Sequence, residues 1–254
     1  DIRPGEVETN LRTVHSTVIQ AKKQQSDLIV FPELVTSGYA VDLLQYADPM
    51  TNNSPADQIR VMAQENELWI AFGFPEQIRG QRKLFNTLAL VDSQGVVREK
   101  YHKIHLFTPM NDHVFFQSGT ELKILKTDFG TIGLSTCYDL RFPEMYRLLA
   151  HKGAELILCP AQWPCPRQKH WDTLLCSRAI ENQVFMIGVN RVGQTSDFSF
   201  CGGSGVFNAF GKPLLHLSSE INGVKSVDIN VQSIQDLRNY ICYLDDARFS
   251  INFP

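Results

Sequence analysis

Three side chains with complementary chemistry each follow an apolar, strand-like run in this sequence. Glu33 comes after residues 28–31, Lys103 comes after residues 96–101, and Cys137 comes after residues 131–136. Sites in α/β proteins are commonly built where strands end. The spacing therefore predicts that Glu33, Lys103 and Cys137 meet at one site.

These three residue types would together support attack on an amide carbon. A thiol attacks as its thiolate, and a free thiol has a pKa of about 8.5. The ammonium group of Lys103 would favour the thiolate of Cys137 and, with the backbone N–H of Tyr138, would stabilise an oxyanion. The carboxylate of Glu33 would accept or deliver the proton.

Each residue also has an ordinary structural interpretation when it is taken alone. A cysteine after a strand is commonly a small buried hydrophobe, a lysine there is commonly solvated, and a glutamate can cap a helix. The surrounding sequence favours the catalytic interpretation, because three segments resemble, in the same order, the signature segments of the nitrilase, or carbon–nitrogen hydrolase, superfamily. They are Phe31-Pro32-Glu33-Leu34, Tyr101-His102-Lys103-Ile104-His105-Leu106 and Cys137-Tyr138-Asp139-Leu140-Arg141-Phe142-Pro143-Glu144.

The resemblance continues downstream and covers nearly the whole chain. It implies an α/β fold, a four-layer α-β-β-α sandwich in a single domain over residues 1–254, and pairing into homodimers or higher homo-oligomers, which apolar residues in 143–150 would support. It also implies an amidase that forms a thioester on Cys137 without a metal or an organic cofactor. The downstream segments are Pro160-Ala161-Gln162-Trp163-Pro164, His170-Trp171 and Arg178-Ala179-Ile180-Glu181-Asn182-Gln183.

Within the superfamily the chain is most similar to ω-amidases of the bacterial type. That branch carries segments similar to Ala161-Gln162-Trp163-Pro164 and Gly188-Val189-Asn190-Arg191, and it hydrolyses ω-monoamides of 2-oxo dicarboxylic acids such as 2-oxoglutaramate. An acidic substrate requires a cation in the pocket, and arginine binds a carboxylate through two N–H groups. A structural salt bridge is the alternative role for each arginine. The predicted substrate-binding residues are Arg141, Trp163, Arg167, Arg191 and His113.

Two features depart from the superfamily's pattern. Many members have a second glutamate in the loop after the lysine, and here Asp112 occupies that position, upstream of Phe116-Gln117-Ser118-Gly119. Aspartate keeps the charge but is one methylene shorter, and we interpret Asp112 as a secondary catalytic carboxylate. The superfamily also opens with a strand ahead of a segment similar to residues 1–6, and we expect that strand to be absent or truncated here.

Alternating helix-like and strand-like segments supply the framework that would position these residues. Leu11, Val14 and Val18 recur at helical spacing, and Pro32 stops the apolar run of residues 28–31. This alternation predicts an α/β domain. The other predicted elements are helices at 54–68, 143–152 and 168–182, strands at 69–74, 155–159 and 184–189, hairpins at 86–101 and 123–136, and a β-rich remainder with turns at 211–213 and 222–223.

Composition narrows the classes of function. The chain has 254 residues, of which 43% are hydrophobic, which is typical of a globular protein. Its formal net charge is -3, and proteins that bind nucleic acid or anionic membranes are usually basic, so neither function is indicated. No apolar run reaches the roughly 20 residues that span a bilayer. The six cysteines form no CxxC pair, and their scatter predicts reduced thiols and a cytoplasmic location.

Other interpretations have weaker support. Cys201-Gly202-Gly203-Ser204-Gly205 does not match the GxSxG segment of serine hydrolases, because Val206 stands where the second glycine is needed. His102, His105 and His113 lack metal-binding spacing. A non-catalytic binding protein with this fold would be expected to lack one of the three reactive residues. Deaminated glutathione or an N-carbamoyl amine is the alternative amide substrate.

Overall fold

The computed structural model describes residues 1–218 and 223–248. Helices and strands alternate along most of the chain, as the sequence predicts. The helices are α1 (Val7–Lys23), α2 (Pro55–Glu65), α3 (Asp112–Phe115), α4 (Pro143–His151), α5 (Gln168–Asn182), α6 (Gln232–Tyr240) and α7 (Tyr243–Asp246). The strands are β1 (Leu28–Val30), β2 (Trp69–Glu76), β3 (Phe85–Val91), β4 (Val97–His102), β5 (Ile124–Thr127), β6 (Gly130–Leu134), β7 (Leu156–Ala161), β8 (Phe185–Asn190), β9 (Val192–Gln194), β10 (Ser199–Cys201), β11 (Gly205–Phe207) and β12 (Pro213–His216).

The strands form two mixed sheets and a separate hairpin. The first sheet has the order β1-β2-β3-β4, in which β1 is parallel to β2 and the other pairs are antiparallel. The second sheet has the order β12-β11-β8-β7-β6-β5, with the parallel strands β6, β7 and β8 at its centre. Strands β9 and β10 pair with each other in antiparallel orientation.

The two sheets face each other, and helices cover their outer sides. Leu88 and Leu90 of the first sheet share one core cluster with Leu158 of the second sheet and with Trp171 of α5. Phe72, on the opposite face of the first sheet, belongs to a second cluster that includes residues of α1 and α2. The result is the four-layer α-β-β-α sandwich that the resemblance implies.

Local sequence explains several element boundaries. The side chain of Ser54 accepts a hydrogen bond from the backbone N–H of Asp57, and Pro55 occupies the first position of α2, so both residues favour a helix start there. Helix α5 ends at Gln183, whose φ of 50° is left-handed and stops the helix. Strand β7 is buried along its whole length, which matches its continuous apolar run.

The C-terminal part differs from the β-rich prediction. After β12 the described chain forms α6 and α7, and Ile234 and Leu244 from these helices join the core. Such short helices contribute too few apolar residues for a helical period to stand out in the sequence. The predicted turn at 211–213 overlaps the observed turn only in part, because the N–H of Gly211 donates to the carbonyl oxygen of Asn208 and β12 already begins at Pro213. The predicted turn at 222–223 includes Asn222, which lies outside the described residues.

The cysteines also differ from the prediction of reduced thiols. Cys165 and Cys201 form a disulfide, with their Cα atoms 5.0 Å apart. Their positions, 36 residues apart in sequence, come together only after the fold has formed, so spacing could not predict the pair. The free cysteines among the described residues are Cys137, Cys159, Cys176 and Cys242.

Strand β1 lies at the edge of the first sheet and borders a groove. The groove has a volume of about 350 Å³ and lies between β1 and residues 223–231. None of the candidate residues predicted from the sequence lines it. Within the described part of the chain, no helix combines the length and apolar character that crossing a membrane requires.

Candidate active site

Glu33, Lys103 and Cys137 lie at strand ends of both sheets. Glu33 follows β1 and Lys103 follows β4 in the first sheet, whereas Cys137 follows β6 in the second. All three side chains are buried. Because the sheets face each other, these strand ends converge, and Nζ of Lys103 lies 2.8 Å from Oε1 of Glu33.

Two glycines allow the backbone to pack closely around this site. A Cβ atom at Gly73 would lie 2.4 Å from the backbone nitrogen of Leu34, so β2 passes directly beside Glu33. A Cβ atom at Gly119 would lie 2.1 Å from the carbonyl oxygen of His102. A side chain at either position would therefore push the backbone of the site apart.

Lys103 is held between two buried carboxylates. Its Nζ lies 2.8 Å from Oε1 of Glu33 and 2.7 Å from Oδ2 of Asp112. Burial alone would lower the pKa of Lys103, but the negative charges of Asp112 and Glu33 outweigh burial and hold this pKa well above its usual value. The two carboxylates therefore favour the protonated, cationic form of Lys103.

The two carboxylates differ in acidity. Burial tends to raise the pKa of Glu33, but the charge of Lys103 and the hydrogen-bond donors around Glu33 bring this pKa below its usual value. Burial raises the pKa of Asp112; the charge of Lys103 offsets only part of this, and the charge of Glu33 adds to it. Glu33 is therefore the carboxylate that is ionised first and is the better placed to act as an ionised base.

Asp112 reaches Lys103 directly in spite of its shorter side chain. Its Oδ2 accepts hydrogen bonds from Nζ of Lys103 at 2.7 Å and from the backbone N–H of Phe107 at 2.9 Å. Its Oδ1 is buried and has no hydrogen-bond partner among the described residues. One oxygen of Asp112 thus has two donors, and the other has no partner among the described residues.

Cys137 begins a 3₁₀ turn, Cys137–Arg141, with a φ of 50°. A left-handed conformation at such a residue costs about 1–3 kcal/mol and persists where the surroundings enforce it. Burial raises the pKa of the Cys137 thiol well above its usual value, the charge of Glu33 raises it further, and the charge of Lys103 offsets only part of the rise. Lys103 thus favours the thiolate, as the sequence predicts, but burial and Glu33 act more strongly and favour the neutral thiol.

Asp139 links the end of β4 to the turn after β6. Its Oδ1 accepts a hydrogen bond from the backbone N–H of His105 at 3.0 Å and lies 2.8 Å from Nδ1 of the same residue. Its Oδ2 accepts hydrogen bonds from the hydroxyl of Tyr101 at 2.6 Å and from the backbone N–H of Thr136 at 2.9 Å. Because Asp139 is buried, these contacts replace water and hold the two strand ends in a defined relation.

The backbone N–H of Tyr138, predicted as an oxyanion donor, belongs to the first turn of the segment Cys137–Arg141. N–H groups in a first helical turn have no acceptor within the helix. The ring of Tyr138 packs against Phe107 and Phe142, with centroid distances of 4.9 and 5.4 Å, which restrains this backbone. The role of the Tyr138 N–H and of Nζ of Lys103 as oxyanion donors stays a prediction.

Arg141 and Arg167 lie over aromatic rings, and neither forms an ion pair with a carboxylate of the described residues. The guanidinium carbon of Arg141 is 4.7 Å from the ring centroid of Trp163, and that of Arg167 is 5.6 Å from the ring centroid of Phe107. The arginine ion pairs of the described residues all involve other arginines. Arg141 ends the turn that begins at Cys137, and the Phe107 ring under Arg167 packs against Tyr138 of the same turn. Burial lowers the pKa of Arg141, and the positive charge of Arg167 lowers it further.

Arg191 and His113 are placed differently. Arg191 is buried, its Nη1 donates to Oε1 of Gln162 at 2.9 Å, and its Nε lies 3.2 Å from Oδ1 of Asp1. These contacts connect Arg191 to Gln162, whose backbone N–H contacts Glu33, and the substrate-binding role of Arg191 stays a prediction. The side chain of His113 is exposed on α3, and within the described residues no hydrogen bond or ion pair joins it to the site.

Three residues that contact Glu33 were missed by the sequence reasoning. The hydroxyl of Tyr39 and Nδ2 of Asn86 donate to Oε1 of Glu33, at 2.9 and 2.8 Å. The backbone N–H of Gln162 donates to Oε2 at 2.9 Å. Gln162 belongs to a segment that the resemblance singled out, and Asn86 is a polar residue within a buried strand, whereas no pattern in the sequence marks Tyr39.

Two of the three histidines weighed as metal ligands, His102 and His105, contact separate carboxylates. Nε2 of His102 lies 3.0 Å from Oε2 of Glu76, and His105 contacts Asp139. Across residues 1–218 and 223–248, no group of three or more His, Cys, Asp or Glu residues is arranged to hold a metal ion.

Comparison with known proteins identifies the family to which the chain belongs. The family model "Carbon-nitrogen hydrolase" matches residues 1–239. The chain belongs to the carbon–nitrogen hydrolase family. This hydrolase is 31% identical over 248 residues to a 2-oxoglutaramate amidase of Bacillus subtilis, covering 98% of this chain and 95% of that protein. It is 30% identical over 254 residues to a deaminated glutathione amidase of Dictyostelium discoideum, covering 92% of this chain and 87% of that protein.

A solved structure is similar over almost the whole hydrolase. It is a glutamate-to-glutamine mutant of the amidase from Nesterenkonia sp. AN1, with a TM-score of 0.83 and 26% sequence identity, covering 97% of this chain and 90% of that one. That mutant shows covalent addition of the acetamide moiety of fluoroacetamide at its active-site cysteine. The present chain is accordingly an enzyme that hydrolyses the carbon–nitrogen bond of linear amides.

Proposed function

We propose that this carbon–nitrogen hydrolase is an ω-amidase, which hydrolyses a short 2-oxo acid monoamide such as 2-oxoglutaramate and releases ammonia. The observation that carries this proposal is the pair Arg141 and Arg167, which lie at the turn that begins with Cys137 and over the Phe107 ring beside it. Among the described residues neither arginine has a carboxylate partner, although Nη2 of Arg141 lies 3.3 Å from Nδ1 of His170. An acidic substrate would supply that partner. The name of the Bacillus subtilis relative supports the same substrate class.

In the first half-reaction, Glu33 removes the thiol proton of Cys137 while the sulfur attacks the amide carbon. The carbonyl oxygen becomes an oxyanion that accepts hydrogen bonds from Nζ of Lys103 and the backbone N–H of Tyr138. The proton on Glu33 then passes to the leaving nitrogen, the C–N bond breaks, and ammonia leaves. The acyl group remains on Cys137 as a thioester.

In the second half-reaction, water replaces ammonia. Glu33 removes a proton from this water as its oxygen attacks the thioester carbon, and the same two donors stabilise the second oxyanion. The C–S bond then breaks, the carboxylic acid is released, and the proton returns from Glu33 to the sulfur of Cys137. The high pKa of the Cys137 thiol favours this return.

Asp112 acts in this scheme as a secondary carboxylate. Its Oδ2 holds Lys103 in place, and its unpartnered Oδ1 would accept a hydrogen bond from the amide N–H of the substrate. Such a contact orients the amide nitrogen for protonation and departure. Aspartate therefore replaces the superfamily's second glutamate by direct contact with the lysine.

The substrate assignment is tested by comparing kcat/KM for 2-oxoglutaramate with kcat/KM for an uncharged amide of similar length. Arg141 and Arg167 are half-buried. A hydrogen bond to a charged group is worth about 1.5–3 kcal/mol, so we expect a preference of roughly ten- to a hundredfold for the acidic amide. Arg141→Met should remove most of this preference, whereas Arg12→Met, on exposed α1, should leave it unchanged.

A panel that includes deaminated glutathione and an N-carbamoyl amine decides between substrates. A higher kcat/KM for either of these amides would replace the ω-amidase assignment, and equal values for the acidic and the uncharged amide would leave a general amidase. Cys137→Ala should lose at least about a thousandfold in activity with an unchanged far-UV spectrum, as expected when a nucleophile is removed. Activity close to wild type in that variant would refute the thioester mechanism.

The enzyme is further proposed to be a single hydrolase domain, a homodimer or larger homo-oligomer, and cytoplasmic. The apolar residues of 143–150, which we expected to support pairing, are instead packed in the core, because Met145, Tyr146 and Leu149 are buried. The support now comes from exposed apolar side chains near the C-terminus, among them Phe210 and Tyr240. The disulfide between Cys165 and Cys201 removes reduced thiols as a reason for the cytoplasmic assignment.

A further inference from the structure

The two oxygens of the Glu33 carboxylate have unequal surroundings. Oε1 accepts hydrogen bonds from Nζ of Lys103 at 2.8 Å, Nδ2 of Asn86 at 2.8 Å and the hydroxyl of Tyr39 at 2.9 Å. Among the described residues Oε2 accepts one hydrogen bond, from the backbone N–H of Gln162 at 2.9 Å. The donors are thus distributed three to one.

This distribution leaves only one oxygen free to handle protons. A carboxylate oxygen offers about two lone-pair positions, so three donors saturate Oε1, whereas Oε2 keeps one position open. Gln162 also keeps the carboxylate in this orientation. Its backbone N–H contacts Oε2, and its side-chain Nε2 donates to the carbonyl oxygen of Glu33 at 2.8 Å, so Gln162 and Glu33 are fixed relative to each other. Tyr39 remains a donor throughout, since burial and the nearby carboxylates raise the pKa of its hydroxyl.

We propose that Tyr39 and Asn86 are positioning residues that hold Oε1 of Glu33, so that all proton transfers of the reaction pass through Oε2. The inference rests on the proposed role of Glu33 as the base and specifies it. In the first half-reaction Oε2 takes the proton from the sulfur of Cys137 and gives it to the leaving nitrogen. In the second, Oε2 takes a proton from the attacking water and returns it to the sulfur when the C–S bond breaks.

The proposal predicts how the pH dependence responds to loss of a donor. The titratable groups that face Glu33 are Lys103, Asp112, Cys137 and Tyr39. Glu33 works in its ionised form, so activity is present above its pKa and is lost as the pH falls through it. A variant that lacks one donor stabilises the carboxylate less, which raises the pKa of Glu33 and moves the acid limb to higher pH.

The test is the pH profile of kcat/KM for wild type, Tyr39→Phe and Asn86→Leu, measured with the best amide of the substrate panel. Both variants should shift the acid limb upward by about one pH unit, because each loses a hydrogen bond to a charged group. Tyr146→Phe is the matched control. Tyr146 is also a buried tyrosine, but its hydroxyl donates to Oγ of Ser135 and does not contact Glu33. The acid limb of the Tyr146→Phe profile should therefore stay where it is in wild type.

A merely structural role for Tyr39 would lower activity equally at every pH and leave the limb in place, and that result would overturn the proposal. If Tyr39→Phe does not fold, as judged by far-UV circular dichroism, the profile of Asn86→Leu decides alone. Glu33→Gln separates this inference from the proposed function. Activity in Glu33→Gln would remove the base role altogether, whereas an inactive Glu33→Gln with unmoved limbs in the other variants would remove only the positioning role.

Discussion

At the residue scale, the site depends on one cation shared by two buried carboxylates. Lys103 contacts Glu33 at 2.8 Å and Asp112 at 2.7 Å, and all three side chains are excluded from solvent. A buried ion pair adds little stability compared with an apolar pair, but removing one partner leaves a buried charge without compensation. The site is therefore sensitive to loss of the lysine in stability as well as in activity.

Lys103→Met should make stability depend on pH in a new way. Without the lysine, burial and mutual repulsion raise the pKa values of Glu33 and Asp112 above their unfolded values, which lie near about 4. The folded variant then binds protons more tightly than the unfolded chain, so its stability falls as the pH rises from about 4 through the raised pKa values. Near pH 8 we expect a deficit of about 3–5 kcal/mol relative to wild type, and near pH 4 a much smaller one.

Urea unfolding of wild type and Lys103→Met between pH 4 and pH 8 measures this effect. The double variant Lys103→Met with Asp112→Asn should recover part of the deficit at high pH, because only one buried carboxylate remains. Lys123→Met is the control, since Lys123 forms its ion pairs on the surface and exposed pairs contribute about 0–1 kcal/mol. A deficit that is the same at pH 4 and pH 8 would show that the lysine contributes packing and not charge compensation.

At the element scale, the sequence predicted most of the framework, because apolar runs and helical periods mark buried segments directly. Helix α5 was predicted with its observed ends, and β3 and β4 pair in the predicted hairpin. The contacts around Glu33 could not be predicted in the same way. Asn86 reaches Glu33 only because β3 pairs with β2 in a particular register, with Asn86 opposite Pro75, and register is a property of the folded sheet.

The disulfide between Cys165 and Cys201 joins residues 163–167 to the β9–β10 hairpin. Two of the predicted substrate-binding residues, Trp163 and Arg167, lie at the ends of that segment. Cys165 follows Pro164, whose backbone bridges to Phe200, and it precedes Arg167 by two residues. The cross-link therefore restrains the backbone between Trp163 and Arg167. Because no carboxylate of residues 1–218 and 223–248 pairs with Arg167, the position of its backbone largely determines where its charge lies.

Cys201→Ser should lower both stability and affinity for an acidic amide. Cross-linking residues 36 positions apart stabilises a fold by about 3–4 kcal/mol in the chain-entropy description. For a chain of this size the loss corresponds to a fall in Tm of roughly 6–15 °C. We expect KM for 2-oxoglutaramate to rise more than kcat falls, because the loosened segment binds substrate and does not carry the nucleophile.

Differential scanning fluorimetry and initial rates, with and without a phosphine reductant, measure these effects. The reductant should lower the Tm of wild type to that of Cys201→Ser and leave the variant unchanged. Cys176→Ser, which removes a cysteine that is free in the structure, should behave like wild type in both conditions. An unchanged Tm on reduction, together with a full count of six reactive thiols in unfolded, unreduced protein, would contradict the pairing.

At the scale of the whole molecule, exposed apolar side chains concentrate where α5 meets the C-terminal helices. Phe210 is 73% exposed and Tyr240 is 89% exposed, and Ile180 and Tyr243 are exposed nearby in the fold. The backbone at Gly211, next to Phe210, lies against Ile180, and α5 contacts α7, so these side chains belong to one region. Exposed apolar side chains grouped in one part of a surface commonly mark a protein–protein interface.

We expect the enzyme to be at least a dimer that pairs through this region. Light scattering of the eluting peak at micromolar concentration should give at least twice the 28.8 kDa of one chain. The double variant Phe210→Glu with Tyr240→Glu should shift the mass toward that of one chain, because pairing through a two-fold axis brings each new charge close to its counterpart and to apolar surface.

Val41→Glu is the matched control for the double variant. Val41 is 99% exposed, but it lies on the loop before Leu43, far along the chain from α5 and α6. The Val41→Glu protein should therefore keep the mass of wild type. A wild-type mass of one chain would refute the pairing, and an unchanged mass in the double variant would place the interface on another face of the sandwich.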